Sequence, residues 1–296
     1  MKKVFAFAFF AAAACASFAQ VVAGSSFFDQ IVSDWHMGIT ADVMESVSIP
    51  SGVYGGDGGT LGVYKTAAVV KLQAARSRHA FDISAGWERS RFDFSHTSPF
   101  SDTNDFSANA FYSYSIDRKW SVFGAARGGF AAEEGADLSD GGRLIAGGGV
   151  GYAVDENIAF GIGMMAVSRM DNTWLPLPLG YLRWKIDEKL SLRTLNGVAL
   201  IYDVFGDSSL LLNISGEYDN SYFRLKKDGG VRRSVGDNFV NIAVGATYNI
   251  GKRLYISGSA GANVYRKLCF RRGGNSADEY SCDPAPVFFV HLGCKL

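Results

Sequence analysis

Phe106-Ser107-Ala108-Asn109-Ala110-Phe111-Tyr112-Ser113-Tyr114-Ser115-Ile116 runs directly into Asp117-Arg118-Lys119, and this stretch decides the fold. Phe106, Ala108, Ala110, Tyr112, Tyr114 and Ile116 share one parity, while Ser107, Asn109, Ser113 and Ser115 share the other. Residues i and i+2 lie on the same face of a strand, so the stretch is an extended strand with one apolar and one polar face. The charged triplet ends it as a short turn.

The unit repeats outward in both directions. Leu144, Ala146, Gly148, Val150, Tyr152 and Val154 alternate up to Asp155-Glu156-Asn157, and Val240, Ile242, Val244, Ala246, Tyr248 and Ile250 up to Gly251-Lys252. Arg76-Ser77-Arg78, Asp187-Glu188 and Asp219-Asn220 complete a set of short polar turns spaced by roughly thirty to forty residues. Strands are expected near 34–43, 61–75, 79–94, 104–116, 120–131, 143–154 and 158–169, then near 178–186, 190–202, 209–218, 222–228, 238–250, 253–267 and 286–296. Longer segments rich in Gly, Asp and Ser alternate with the short turns: Glu45 to Thr60, Ser95 to Thr103, Glu133 to Gly142, Met170 to Leu177, Asp203 to Ser208, Gly229 to Asp237 and Leu268 to Ala285. Short turns on one side and long loops on the other define an all-β transmembrane antiparallel up-and-down β-barrel of about fourteen strands, or twelve without the weakest segment near 222–228. Phe288, Val290, Leu292, Cys294 and Leu296 alternate to the last residue, as in the final strand that barrel-insertion machinery reads, with Leu296 where a terminal Phe is usual.

The first nineteen residues carry an export signal. Lys2 and Lys3 precede the apolar run Val4 to Ala14, and Ser17-Phe18-Ala19 offers a cleavage point before Gln20. A lipoprotein cut before Cys15 would call for a large aliphatic residue that Ala12-Ala13-Ala14 lacks. The expected organisation is a signal peptide over 1–19, a short N-terminal periplasmic segment over 20–33 and an outer-membrane barrel over 34–296. Lys plus Arg and Asp plus Glu both number 29, which removes any electrostatic case for nucleic acid. The 22 Phe and 13 Tyr instead suit strand faces and the aromatic girdles at two membrane interfaces.

Asn172-Thr173-Trp174-Leu175-Pro176, Tyr181-Leu182-Arg183-Trp184-Lys185-Ile186 and the segment from Tyr218 to Leu225 resemble an uncharacterised family of bacterial outer-membrane β-barrel proteins, a domain of unknown function. The resemblance runs from about Trp35 to Leu296 and implies a fold and a location in the bacterial outer membrane, with no activity attached.

Polar strand faces are expected to line the lumen. By parity they carry His36, Asp42, Lys65, Lys71, Asp82, Glu88, Arg127, Arg143, Arg183, Arg193 and Glu217. Such charges either set the selectivity of a pore or pair with one another and fill it. Lumen-facing Ala125, Gly129, Gly147, Gly149, Gly161, Gly163 and Gly245 leave space and favour a channel. Trp174-Leu175-Pro176-Leu177-Pro178 either folds into the mouth as a plug or anchors at the interface and starts a strand. In an oxidising compartment Cys269 and Cys282 would clasp the loop between them, leaving Cys294 as a small apolar residue in the last strand. His79, His96 and His291 with abundant serines do not make a catalytic constellation, since no GxSxG elbow accompanies them. Gly55-Gly56-Asp57-Gly58-Gly59 lacks the Lys-Ser/Thr of a phosphate loop, and no CxxC or HxxxH pair suggests a metal. No catalytic residue, cofactor or metal is expected. The expected partners are outer-membrane lipid, the insertion machinery and small solutes. The expected function is a narrow channel or passive transporter of small solutes, with a non-conducting structural or loop-displaying envelope barrel as the alternative.

Overall fold

The computed structural model describes residues 32–55, 58–168, 174–194 and 197–296, with side chains from Met37 onward. The expected signal peptide and most of the expected 20–33 segment lie outside the described residues, and the first strand is already under way at Val32. Fifteen strands follow in order: β1 (Val32–Tyr54), β2 (Thr60–Ser77), β3 (His79–Phe94), β4 (Thr103–Ser115), β5 (Trp120–Glu133), β6 (Gly142–Ala153), β7 (Ile158–Ser168) and β8 (Trp174–Lys185), then β9 (Leu190–Arg193), β10 (Val198–Asp203), β11 (Leu210–Asp228), β12 (Val231–Ile250), β13 (Leu254–Arg272), β14 (Asn275–Cys282) and β15 (Ala285–Lys295). Each pairs antiparallel with the next up to β13. β14 and β15 then share the place between β13 and β1, the former above and the latter below, so the ring has fourteen positions. β1 and β15 close it in register from Thr40↔Lys295 to Ser48↔Val287.

The strand count agrees with the sequence reading, but two of its elements change places. Residues 190–202 form two short strands rather than one, because Gly197 turns the chain at φ 120°, a conformation open to glycine. Leu210–Asp228 is a single strand, so Asp219-Asn220 is not a turn. The alternation of Glu217, Asp219, Ser221 and Phe223 runs through it unbroken, opposite Asn241, Phe239, Asp237 and Val235 of β12. Consequently the Asp203 to Ser208 segment belongs to the short-turn side, between β10 and β11.

Three of the short turns are copies of one device. In Asp117, Asp155 and Asp187 one carboxylate oxygen accepts the backbone N–H groups two and three residues on, at 2.7 to 2.8 Å. The residue before each Asp donates its N–H to the carbonyl four residues later, at 2.8 to 2.9 Å. Aspartate substitutes for backbone partners in a tight connection, which is why this residue recurs there.

The other end is built from long strands. β6, β7 and β8 have 12, 11 and 12 residues, close to the nine to eleven or so that a tilted strand needs to cross a bilayer. β11, β12 and β13 have 19, 20 and 19 and continue well beyond it. Most of the expected loops over 229–237 and 268–285 are therefore strand. Gly229-Gly230, with φ of 57° and 80°, is all that joins β11 to β12. Trp174-Leu175-Pro176-Leu177-Pro178 is likewise wall, not plug. β8 pairs with β9 only at Arg183, Trp184 and Lys185, so this upper part is held in the sheet by β7 alone, where proline costs no second ladder.

Outward-facing side chains form the apolar belt. Ile162, Val244 and Leu292 are 65%, 58% and 52% exposed on the outside of the wall. Trp120, Tyr152 and Phe160 sit tilted against one another beside the short turns, with centroids 4.7 and 5.8 Å apart, as one aromatic girdle. A closed ring satisfies every backbone group internally, and with this belt it is an outer-membrane barrel.

The Cys269–Cys282 clasp does not form, and both thiols are free. In the β13–β14 pair Cys282 lies opposite Arg266, whereas Cys269 lies opposite Glu279. Cys282 packs with the inner apolar cluster, and Cys269 lies alternate to inward-facing Leu268 and Phe270, so the two thiols occupy opposite faces.

Candidate functional site

The barrel interior divides into three regions. At the external end it is sealed. Phe100, from the connection between β3 and β4, packs on Phe92 at 4.8 Å, with Phe223, Leu225, Val235 and Leu268 around it, each 6% exposed or less. The β11–β12 tip crosses the mouth to β5, where Arg224 pairs in parallel with Ala132. Polar bonds pin the crossing. Lys226 donates its N–H to Glu133 at 2.7 Å, and the Arg224 Nε donates to the Asp140 carbonyl at 2.9 Å. Lys227 and Arg232 flank the Asp140 carboxylate at 3.0 and 3.1 Å.

Part of the inner wall from β4 to β8 is apolar. Phe111, Phe123, Ile145, Met165, Leu177 and Tyr181 pack into one cluster, each 8% exposed or less. The inward glycines of this wall do not leave the open space expected of them. A methyl at Gly161 would meet the Tyr181 ring at 2.2 Å, and one at Gly149 would meet the Phe123 ring at 2.8 Å, so aromatic rings already occupy those positions.

Between the seal and the short-turn end lies a charged cavity of about 330 Å³. Five of the residues expected in the lumen, Lys65, Glu88, Arg127, Arg143 and Glu217, line it together. Lys65 reaches Glu88 at 3.3 Å and lies 4.6 Å over the Phe239 ring. Asp105 takes Arg143 in a direct hydrogen bond and Arg127 at 3.9 Å. Asp219 is held by the Asn220 N–H at 2.7 Å. Above the cavity Arg266 grips Asp237 through Nε at 2.9 Å and Nη2 at 2.5 Å, with both side chains buried.

The remaining expected residues sit elsewhere. Asp82 is buried beneath the cavity, bound to Lys71 at 2.8 Å and Gln73 at 3.2 Å. Arg183 and Arg193 stand opposite each other across β8 and β9. The His36 side chain lies outside the described residues, with its backbone opposite Ala75. His291 approaches Asp42 at 3.3 Å and Tyr255 at 3.4 Å on the inner face of β15 and its neighbours. Two cavity residues, Asp105 and Asp219, escaped the parity argument although parity would have found both. Arg266 escaped it for a physical reason. A bulge between Val240/Asn241 and their β13 partners shifts the inward face from Asn263 to Arg266, breaking the period of two. Among the described residues no group of His, Cys, Asp and Glu could hold a metal ion.

Residues 93–286 match the model of a family described as "Domain of unknown function (DUF6268)". The chain belongs to this family. No curated protein is detectably similar. Among solved structures this family member is similar to the toluene transporter TodX of P. putida at 8% identity and a TM-score of 0.45, over 87% of this chain and 89% of that one. It is similar to an outer membrane channel from Pseudomonas putida F1 at 10% identity and a TM-score of 0.46, over 92% and 99%. Its similarity to the Ralstonia pickettii toluene transporter TbuX has 10% identity and a TM-score of 0.39, over 95% and 91%.

Proposed function

We propose that the protein is a narrow passive channel for small solutes, shut at its external mouth by the β11–β12 tip. The observation that carries this reading is the charged cavity left open between the external seal and the short-turn end. A purely structural barrel gains nothing from keeping Lys65, Glu88, Arg127, Arg143, Glu217 and Asp219 around an unfilled space, since desolvating such charges is costly. Nothing in the arrangement calls for catalysis, and solute passage is the role the cavity supports. The surroundings are outer-membrane lipid on the apolar belt, and the alternating β15 is the signal for the insertion machinery.

The alternative, a non-conducting envelope barrel, draws on the apolar cluster that fills the β4–β8 side. Planar-bilayer recording separates the two. The wild type should give brief, rare openings, and Lys227→Glu/Arg232→Glu, which sets two carboxylates against Asp140, should raise open probability by about tenfold or more if the lost contacts are worth about 1.4 kcal/mol. A folded variant with no current would establish the non-conducting reading.

A further inference from the structure

The signs of the charges on the two sides of the cavity are not mixed at random. β5 and β11 face each other across the lumen, and their parallel contact at Arg224↔Ala132 fixes their relative height. Five residues below that crossing on each strand stand Asp219 and Arg127. The β4–β6 side holds Arg127 and Arg143 with only Asp105 between them, two positive groups to one negative. The β11 side holds Glu217 and Asp219 with no cation on its own strand inside the cavity. Lys65 and Glu88 neutralise each other between the two. The cavity is thus a slot with a positive wall facing a negative one.

Both walls keep bonding capacity in reserve. The Glu217 carboxylate has neither an ion pair nor a hydrogen bond among the described residues. The Arg143 Nε is buried without a hydrogen-bond partner, and so is the Asp105 Oδ1 beside it. Charges left this way inside a barrel are costly unless something else completes them. A monovalent ion would complete one wall only. A hydrocarbon would complete neither.

We propose that the cavity takes a compact zwitterion, a molecule of amino-acid size carrying an ammonium group and a carboxylate. Its carboxylate lies toward Arg127 and Arg143, where a guanidinium offers a planar pair of donors, and its ammonium lies toward Glu217 and Asp219. Phe239 and Phe289 border the same space and cover the chain between the two charges. Orientation across the lumen follows from the field of the walls, as it does wherever pore-lining charges select their solute. As a transport specificity this rests on the channel reading; as a binding site it does not.

Four molecules of matched chain length form the test: 4-aminobutyrate, butyrate, butylammonium and butyramide. Calorimetric titration of the folded, detergent-solubilised barrel should show 4-aminobutyrate binding at least about tenfold tighter than each of the other three. In Glu217→Gln/Asp219→Asn, which keeps shape and volume, that preference should vanish and butyrate should bind as well as 4-aminobutyrate does. Equal affinity for all four in the wild type, binding of none, or a preference that survives the double substitution would overturn the proposal. Liposome swelling with the same set tests the channel separately. Selective binding without swelling would sink the channel and leave the site standing, whereas swelling at equal rates for 4-aminobutyrate and butyramide, with no selective binding, would sink the site and leave the channel.

Discussion

At the short-turn end of the barrel each of three connections is held by one aspartate acting on backbone two and three residues away, whereas at the external end the mouth is held by contacts between segments distant in the chain, such as Phe100 with Phe270 and Glu133 with Lys226. Asp117, Asp155 and Asp187 need nothing beyond their own turns. Phe100 needs Phe92, Phe223 and Phe270, and Glu133 needs Lys226 and Ser101. One end is therefore local, repetitive and built to stay closed. The other is a tertiary seal made of separable contacts, and separable contacts can open. That asymmetry places any conformational freedom of the barrel at its external mouth.

The largest expected effect comes from breaking the seal at its centre. Phe223 is 1% exposed, and in Phe223→Asp a carboxylate would stand among Phe92, Phe100 and Val235, while the Arg266 guanidinium over the Phe92 ring is already bound to Asp237. Keeping that charge buried would cost several kcal/mol, more than a crossing of a few polar bonds supplies, so the β11–β12 tip should swing away. Single-channel conductance should rise several-fold while the barrel still shows the gel mobility of a folded one. A folded variant whose conductance matches the wild type would mean that the seal does not limit flow.

A smaller but still substantial effect should follow from uncoupling Arg266 and Asp237, which lie where the seal meets the cavity. Both side chains are buried and doubly bonded to each other. Asp237→Asn leaves the guanidinium buried without its counter-charge, which in buried pairs costs about 3–5 kcal/mol. The urea midpoint should fall accordingly. Replacing both partners, as Asp237→Leu/Arg266→Met, should recover most of the loss, because the pair's net worth is small once neither charge remains. If the double replacement is as unstable as the single, the pair positions β13 in a way that charge removal alone does not describe.

The same contrast explains what could be read from the amino-acid order. Period-two alternation and polar turns act within a few residues, so the ring of strands, its apolar belt and the inward position of Glu88, Arg127 and Arg143 follow from counting. Long-range packing leaves no such mark. Phe100 looks like any loop aromatic until Phe92 and Phe270 are brought beside it. Asp219-Asn220 imitates a turn because a carboxylate that faces a lumen and one that caps a hairpin are the same residue type. Segment 229–237 is polar and glycine-led, yet it continues as strand because β13 lies alongside to receive it. Cys269 and Cys282 bracket a stretch of suitable length, but spacing says nothing about which face each thiol occupies.

The smallest effect belongs to the local end and is read best through pH. Hydrogen bonds from the Trp120 and Lys119 amides hold the Asp117 carboxyl below its usual value of 3.8, and those from Lys189 and Leu190 do the same for Asp187. A carboxylate whose folded value is depressed contributes stability that is fully present above the unfolded value and is lost as the pH falls through the folded one. The gap in urea midpoint between wild type and Asp117→Ala/Asp187→Ala should therefore be constant near neutrality and narrow below about pH 4. The turn after β12, where Gly251 takes φ 65° in place of an aspartate cap, supplies the internal control. Amide exchange there should not follow the carboxylate titration that the Asp117 and Asp187 turns follow. A gap that stays constant down to about pH 2 would show that side-chain shape, and not ionised oxygen, holds the local end closed.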